Sequence, residues 1–230
     1  MCGTASVSLV CWDLAGIVID GSVVERSFAE AIAAQGIVAG TQSYTRAMVK
    51  FDRARGRPPA DVMRELFDGN EALATVAALA FDRSFRAAAD RFGVAVPPEL
   101  VDAIGKLSGA GVQVCLLTSL TRDACGALLN RMRRQGLMAD EVLCADDAPR
   151  GFPWPDPVLT AMLRAGIADA GEVAVVGVTE SGLQSGHQAG AGLVVGLADG
   201  PRRAATLRAA GATHVIDSID AFPDLVERAA

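Results

Sequence analysis

Histidine, lysine and long apolar runs are scarce in this chain of 230 residues. Its two histidines, His187 and His214, have neither HxxxH nor HxH spacing, so a zinc site is not expected. The five cysteines, Cys2, Cys11, Cys115, Cys125 and Cys144, are odd in number and contain no CxxC pair. That argues against a disulfide framework and predicts reduced thiols in a cytoplasmic protein. Cys11 and Cys115 fall inside apolar strand-like runs and read as small core residues. No apolar stretch has the length of a membrane span. The opening Met-Cys-Gly-Thr-Ala-Ser-Val has no basic segment, so no signal peptide is expected. Positive charge is not in excess either. A net charge of −6 and a pI near 5.0 argue against a nucleic-acid surface. With 51% hydrophobic residues, the chain can form one substantial core, with room for a small inserted domain.

The hydrophobic pattern changes character along the chain. Residues 7–12 predict a buried strand ending at Asp13, followed by a glycine turn and a helix over 24–35. Residues 41–92 are helical in pattern, broken at Pro58-Pro59 and Asp68-Gly69-Asn70. A further helix is expected from Pro98 to Leu107. Beyond it, strands at 112–117, 141–144, 173–176, 193–195 and 214–216 alternate with helices. Those helices fall at 121–135, 157–165, 181–189, 204–210 and 220–228. Such alternation implies βαβ units and a parallel sheet, whose ligand site lies at the carboxyl ends of the strands. The places to search are therefore Asp13, Thr118, the loop 146–156 and the segment 177–183.

Asp13-Leu14-Ala15-Gly16-Ile17-Val18-Ile19-Asp20-Gly21 sits at the first strand end, Leu116-Leu117-Thr118-Ser119 at the second. Asp146-Asp147-Ala148-Pro149-Arg150-Gly151-Phe152-Pro153-Trp154-Pro155-Asp156 and Val175-Val176-Gly177-Val178-Thr179-Glu180-Ser181-Gly182 follow in order. The four segments resemble the four motifs of the haloacid dehalogenase (HAD) superfamily, over about residues 7 to 226. Ala15, two residues after the aspartate, resembles the phosphonatase branch (phosphonoacetaldehyde hydrolase-like). The resemblance implies an α/β fold, a HAD-type Rossmann-like parallel sheet core (residues 1–21 and 96–230) with an inserted all-α cap (residues 22–95). It also implies a nucleophilic Asp13 and a hydroxyl at Thr118 that binds the phosphoryl group.

Several positions depart from the family pattern. Ile17 stands for its threonine, Ser119 for its glycine, and Phe152 for the basic residue that balances the phosphate. Val178 and Gly182 stand for the two acids that hold magnesium, and neither has a side-chain oxygen. Pro59 takes the place of the cap lysine that forms a Schiff base. Arg150, Glu180 and Lys50 are candidate substitutes; a solvated loop position is the alternative for Glu180.

These departures predict loss of Mg²⁺-dependent phosphoryl transfer, which relies on positioning and charge. No metal and no cofactor are expected. Trp12, Ile17, Phe152, Trp154 and Val178 are expected to make an apolar pocket with one carboxylate, which suits a neutral organic ligand. Burial there should raise the pKa of Asp13 and suit it to proton transfer. The expected catalytic pair is Asp13 and Thr118. The expected substrate wall is Trp12, Ala15, Gly16, Ile17, Ser119, Phe152, Trp154, Val178 and Glu180.

Three readings stay open. One is a metal-independent enzyme acting on a small organic metabolite by cyclisation, isomerisation, dehydration or hydrolysis. The second is a non-catalytic ligand- or partner-binding protein, with Asp13 no more than a turn cap. The third is a residual hydrolase using Glu180, Asp146 or Asp147. No nucleic-acid or membrane partner is expected, and a homodimer through the cap is what the resemblance implies. Arg46, Arg53, Arg55 and Arg57 cluster around Lys50. They form either a solvated helical face or a site for an acidic group on a ligand or partner.

Overall fold

The structure, a computed structural model, describes residues 6–92 and 95–228. Cys2 lies outside them. Six parallel strands form one sheet in the order β3-β2-β1-β4-β5-β6: β1 Leu9–Asp13, β2 Gln113–Leu117, β3 Glu141–Leu143, β4 Val173–Gly177, β5 Leu193–Leu197 and β6 His214–Ile216. Every expected strand is present. Helices α5 (Pro98–Gly109), α6 (Arg122–Arg134), α7 (Asp156–Ala165), α8 (Glu180–Gln188), α9 (Pro201–Ala209) and α10 (Ala221–Arg228) connect or flank them. The sheet is covered on both faces, which is why β1 and β4 are buried at every residue.

The chain leaves β1 and returns as β2 and β3 on one side, then crosses back to β4, β5 and β6 on the other. The order reverses at β1, next to β4, and such a switch point opens a crevice at the strand ends. Pairing of Asp13 with Leu117 and of Trp12 with Val176 brings the ends of β1, β2 and β4 level.

Side chains alternate across the sheet. Val10, Trp12, Leu14, Val114, Leu116, Ala174 and Val176 face one core. Leu9, Cys11, Cys115, Leu117, Val173 and Val175 face the other, with Phe152 and Val158.

Between β1 and α5 runs a helical insertion: α1 (Gly21–Ala33), α2 (Gln42–Arg53), α3 (Pro59–Leu66) and α4 (Glu71–Phe92). The breaks fall where Pro58-Pro59 and Asp68-Gly69-Asn70 predict. Asp20 and Thr41 cap α1 and α2 by accepting the amides of Ser22 and Tyr44. Phe28 stacks on Phe51 at 4.4 Å and Phe81 on Phe85 at 6.0 Å. These rings belong to the same apolar cluster as Trp12 and Phe222, so packing runs unbroken from the insertion into the sheet. No helix among the described residues is long and apolar enough to cross a membrane.

Candidate active site at the end of the first strand

Asp13 is the last residue of β1 and only 1% exposed. Its Oδ1 accepts the Ala15 amide at 3.0 Å and its Oδ2 accepts the Thr179 hydroxyl at 2.6 Å. Burial raises its pKa from 3.8 to about 6, against the lowering effect of those two hydrogen bonds. Thr179 is the N-cap of α8, its Oγ1 accepting the Gly182 amide at 3.1 Å. One hydroxyl therefore caps a helix and holds the carboxylate.

Two glycines make the slot for this carboxylate. A Cβ on Gly177 would lie 2.9 Å from the Asp13 Cβ, and one on Gly182 would lie 2.6 Å from Asp13 Oδ2. The space next to Gly182 is thus filled by the carboxylate itself. Around Asp13, neither Val178 nor Gly182 offers a side-chain oxygen. Among the described residues, the one cluster of three possible metal-ligating groups lies elsewhere, at Cys144, Asp146 and Asp147. The groups around Asp13 do not fit a magnesium ion, which asks for several oxygens in near-octahedral array.

A cavity of about 210 Å³ lies between the strand ends and the insertion. The loop after β1 contributes Ala15, Gly16 and Ile19. Thr118, Ser119 and Leu120 follow β2, and Val178 and Thr179 follow β4. The insertion supplies Val24, Phe51, Ala54, Arg55, Gly56, Arg57 and Pro59, and α9 supplies Arg203. Thr118 is buried, and its Oγ1 accepts the Leu120 amide at 3.2 Å.

The connection from α2 to α3 is docked tightly on the core. The Ser181 hydroxyl donates to the Arg55 carbonyl at 2.8 Å. A Cβ on Gly56 would lie 2.4 Å from Ser181 Oγ, and one on Gly151 would lie 2.1 Å from Pro58 Cγ.

The expected site residues divide into two groups. Ala15, Gly16, Thr118, Ser119 and Val178 line the cavity. Asp13 does not: it lies one residue behind the wall, bonded to Ala15 and Thr179, which do. Trp12 is a correction. Strand alternation turns it to the opposite face from Asp13, fully buried and edge-on to Phe222 at 5.0 Å. Phe152 is another; it is 2% exposed and packs beneath the sheet with Leu117 and Val158.

Ile17 borders a separate cleft, beside Phe85 and Leu128. Trp154 is exposed, with the Arg150 guanidinium 4.4 Å above its ring. Glu180 is exposed and paired with Arg203 at 3.2 Å.

The candidate substitutes are engaged elsewhere. Arg150 holds Asp156 through two hydrogen bonds of 3.0 and 2.8 Å. Lys50 Nζ donates to the Glu65 carbonyl at 2.6 Å, outside the cavity. Asp146 accepts the Arg122 amide, and Asp147 is held by Arg122 and Arg164. Neither of these acids joins Asp13.

The expectation of an apolar pocket with one carboxylate also needs correction, because Arg55, Arg57 and Arg203 all border it. Each has an acidic partner: Glu25 and Asp52 for Arg55, Glu65 for Arg57, Glu180 for Arg203. Sequence reasoning missed two participants. Thr179 was visible within the fourth motif, as a hydroxyl at a helix start. Arg203, 190 positions from Asp13, carried no local signal.

The cysteines behave largely as expected. Burial pushes the Cys11 and Cys115 thiols up, Cys115 to about 12. Cys125 and Cys144 lie with their sulfurs 3.4 Å apart, a proximity their 19-residue separation did not suggest.

A parallel sheet, an insertion after its first strand and a buried aspartate at that strand's end define a class of α/β proteins with a strand-end carboxylate. The comparisons give the family. A family model described as haloacid dehalogenase-like hydrolase matches residues 7–190, and the chain belongs to that family. Phosphonoacetaldehyde hydrolase of Paraburkholderia phytofirmans is 27% identical over 146 residues, 54% of this chain and 55% of the relative. A phosphonoacetaldehyde hydrolase-like protein of Syntrophobacter fumaroxidans is 26% identical over 174 residues, 73% of this chain and 58% of the relative. The chain thus spans about half the length of the curated relatives it matches. A phosphonoacetaldehyde hydrolase-like protein from Oleispira antarctica superposes with a TM-score of 0.78 at 19% identity, covering 99% of this chain and 93% of that one.

Proposed function

We propose that this HAD-family protein has lost Mg²⁺-dependent phosphoryl transfer and carries out metal-independent acid–base chemistry on a small organic metabolite, with Asp13 as the proton-transferring group. The observation that carries this reading is the Asp13 carboxylate in the slot left by Gly177 and Gly182, bonded to Thr179 and raised to about pKa 6. A carboxyl group with that pKa exchanges a proton near neutral pH.

A phosphate dianion beside a buried, ionised Asp13 would meet repulsion of roughly several kcal/mol. The groups around Asp13 do not fit a magnesium ion that would offset that repulsion, and the arginines at the wall are already paired. The largely apolar cavity instead suits an uncharged reacting portion.

Asp13 reaches the cavity through its hydrogen-bond partner. Thr179 lines the cavity and its hydroxyl donates to Oδ2, so in this reading a proton passing between ligand and carboxylate crosses Thr179. Thr118 and Ser119, on the adjoining wall, orient the ligand. The helical insertion serves as the cap, and Arg55, Gly56 and Pro58 hold it closed. Cyclisation, isomerisation, dehydration and hydrolysis all require such a proton transfer. Pairing of two copies through the cap belongs to the same proposal and is checked by light scattering.

A second reading has its own observation. Asp13 is 1% exposed and is absent from the cavity wall, as in a protein that kept the pocket for binding alone.

The test is turnover of a metabolite extract followed by mass spectrometry, with wild type against Asp13→Asn and Thr179→Val, each in Mg²⁺ and in EDTA. A metabolite consumed by wild type in EDTA and spared by both variants supports the acid–base reading. A metabolite retained without consumption supports binding alone. Activity in Mg²⁺ but not in EDTA overturns the metal-free proposal.

A further inference from the structure

The cavity adjoins two clefts of opposite charge. Gly16, Val178 and Arg203 separate it from a cleft that carries Glu99, Asp199, Asp217 and Asp220. Ala54 and Arg57 separate it from a groove of about 430 Å³ that carries Arg46, Lys50, Arg53 and Arg57 against the single carboxylate of Glu65. Arg46, Lys50 and Arg53 fall at helical spacing on one face of α2, which is why they share the groove. Arg55, between Arg53 and Arg57 in sequence, turns away to the cavity wall and pairs with Glu25 and Asp52. Among the described residues, no acidic group forms an ion pair with Arg46 or Arg53.

Arg57 stands at the junction. It borders both spaces, its terminal nitrogens hold Glu65, and its Nε is buried without a hydrogen-bond partner. A buried N–H without an acceptor is costly, so a shift of the Arg57 side chain that brought it to a ligand oxygen would relieve that cost. The charges also give a direction: an anion is repelled by the cleft beyond Arg203 and drawn to the groove beyond Arg57.

We infer that the groove on α2 binds the multiply charged anionic tail, phosphate or carboxylate, of the ligand whose apolar body fills the cavity, with Arg57 as the donor where the two parts meet. This rests on reading the cavity as the ligand site. It places the charge of the ligand in a groove that shares no residue with the Ala15 and Thr179 wall holding Asp13, so the reacting portion stays neutral. Guanidinium groups suit such a tail because they offer paired donors to planar or tetrahedral oxyanions.

The test uses the full chain and two kinds of probe. 1-Naphthol, neutral and fluorescent, reports on the cavity. Inorganic pyrophosphate and citrate, titrated by calorimetry, report on the groove. Wild type should bind at least one of the two anions, with affinity falling as salt rises from 50 to 300 mM. Arg46→Gln/Arg53→Gln should weaken it at least tenfold while leaving 1-naphthol binding unchanged. Arg64→Gln, an exposed arginine already held by Asp61 and Glu71, serves as the charge control and should change it less than twofold.

Anion binding that is absent in wild type, or equal in the double variant, overturns the proposal. So does capture of a polyglutamate peptide with both small anions inert, which would make the groove a protein surface. Failure of 1-naphthol alone sinks the cavity reading and leaves the anion groove standing.

Discussion

Replacing Asp13 by Asn isolates the free energy that burial imposes on the carboxylate. Asn has nearly the same shape and no charge. The folded pKa of about 6 exceeds the ordinary 3.8 by about 2.2 units, which at 1.36 kcal/mol per unit is about 3 kcal/mol. Because the folded value is raised, the native state binds the proton more tightly than the unfolded chain does. Below pH ~4 both states are protonated and burial carries no charge penalty. As pH rises from about 4 to 6 the unfolded chain releases its proton first, and the native state loses relative stability. Above pH ~6 the penalty is complete.

Asn escapes that penalty, but compared with the protonated carboxyl its bulkier NH2 replaces a hydroxyl in a tight slot and weakens one hydrogen bond; that costs about 1 kcal/mol. The variant should therefore be about 2 kcal/mol more stable than wild type at pH 8 and about 1 kcal/mol less stable at pH 4. For a chain of this size, the gain at pH 8 is a Tm increase of roughly 4–8 °C. Urea denaturation of both proteins between pH 4 and pH 8 measures the difference directly, and the titration of other carboxylates cancels. A difference that does not change with pH, or that favours wild type at pH 8, would refute the assignment of Asp13 as a buried carboxylate of raised pKa.

The slot around Asp13 makes Gly182→Ala destabilising, by about 1–3 kcal/mol, because its Cβ would lie 2.6 Å from Oδ2; urea denaturation at pH 7 checks this. Gly56→Ala combines a φ of +84° with a contact of 2.4 Å to Ser181 Oγ. It should cost about 2 kcal/mol or more, and combining it with Ser181→Ala should recover part of that loss in thermal melts. Phe28→Ala removes a fully buried ring stacked on Phe51, and its expected loss of 3–5 kcal/mol in denaturant titration tests whether the insertion and the sheet share one core.

Local pattern carried much of the architecture. A strand buried on both faces reads as a continuous apolar run, so β1, β2 and β4 were legible to within two residues. Proline pairs and an Asp-Gly-Asn turn marked the breaks within the insertion because they constrain the backbone whatever the surroundings. The place of Asp13 at a strand end was legible for the same reason. Which wall each neighbour would join was less so. Trp12 and Phe152 sit beside motif positions in sequence, yet one follows strand alternation to the opposite face and the other packs under α7. Arg150, two residues from Phe152, is held outside by Asp156 and the Trp154 ring.

The sequence by itself determined the order of strands and helices, the strand-end carboxylate and the missing oxygens at positions 178 and 182, because these follow from residue type and short-range spacing. Only the tertiary structure decided that Thr179 holds Asp13 and that the carboxylate fills the space beside Gly182. It alone brought Arg203 to the cavity wall and separated Arg55, on that wall, from Arg53 in the neighbouring groove. Those relations join segments up to 190 positions apart, and no local periodicity encodes where distant loops meet once a sheet has brought their strand ends level.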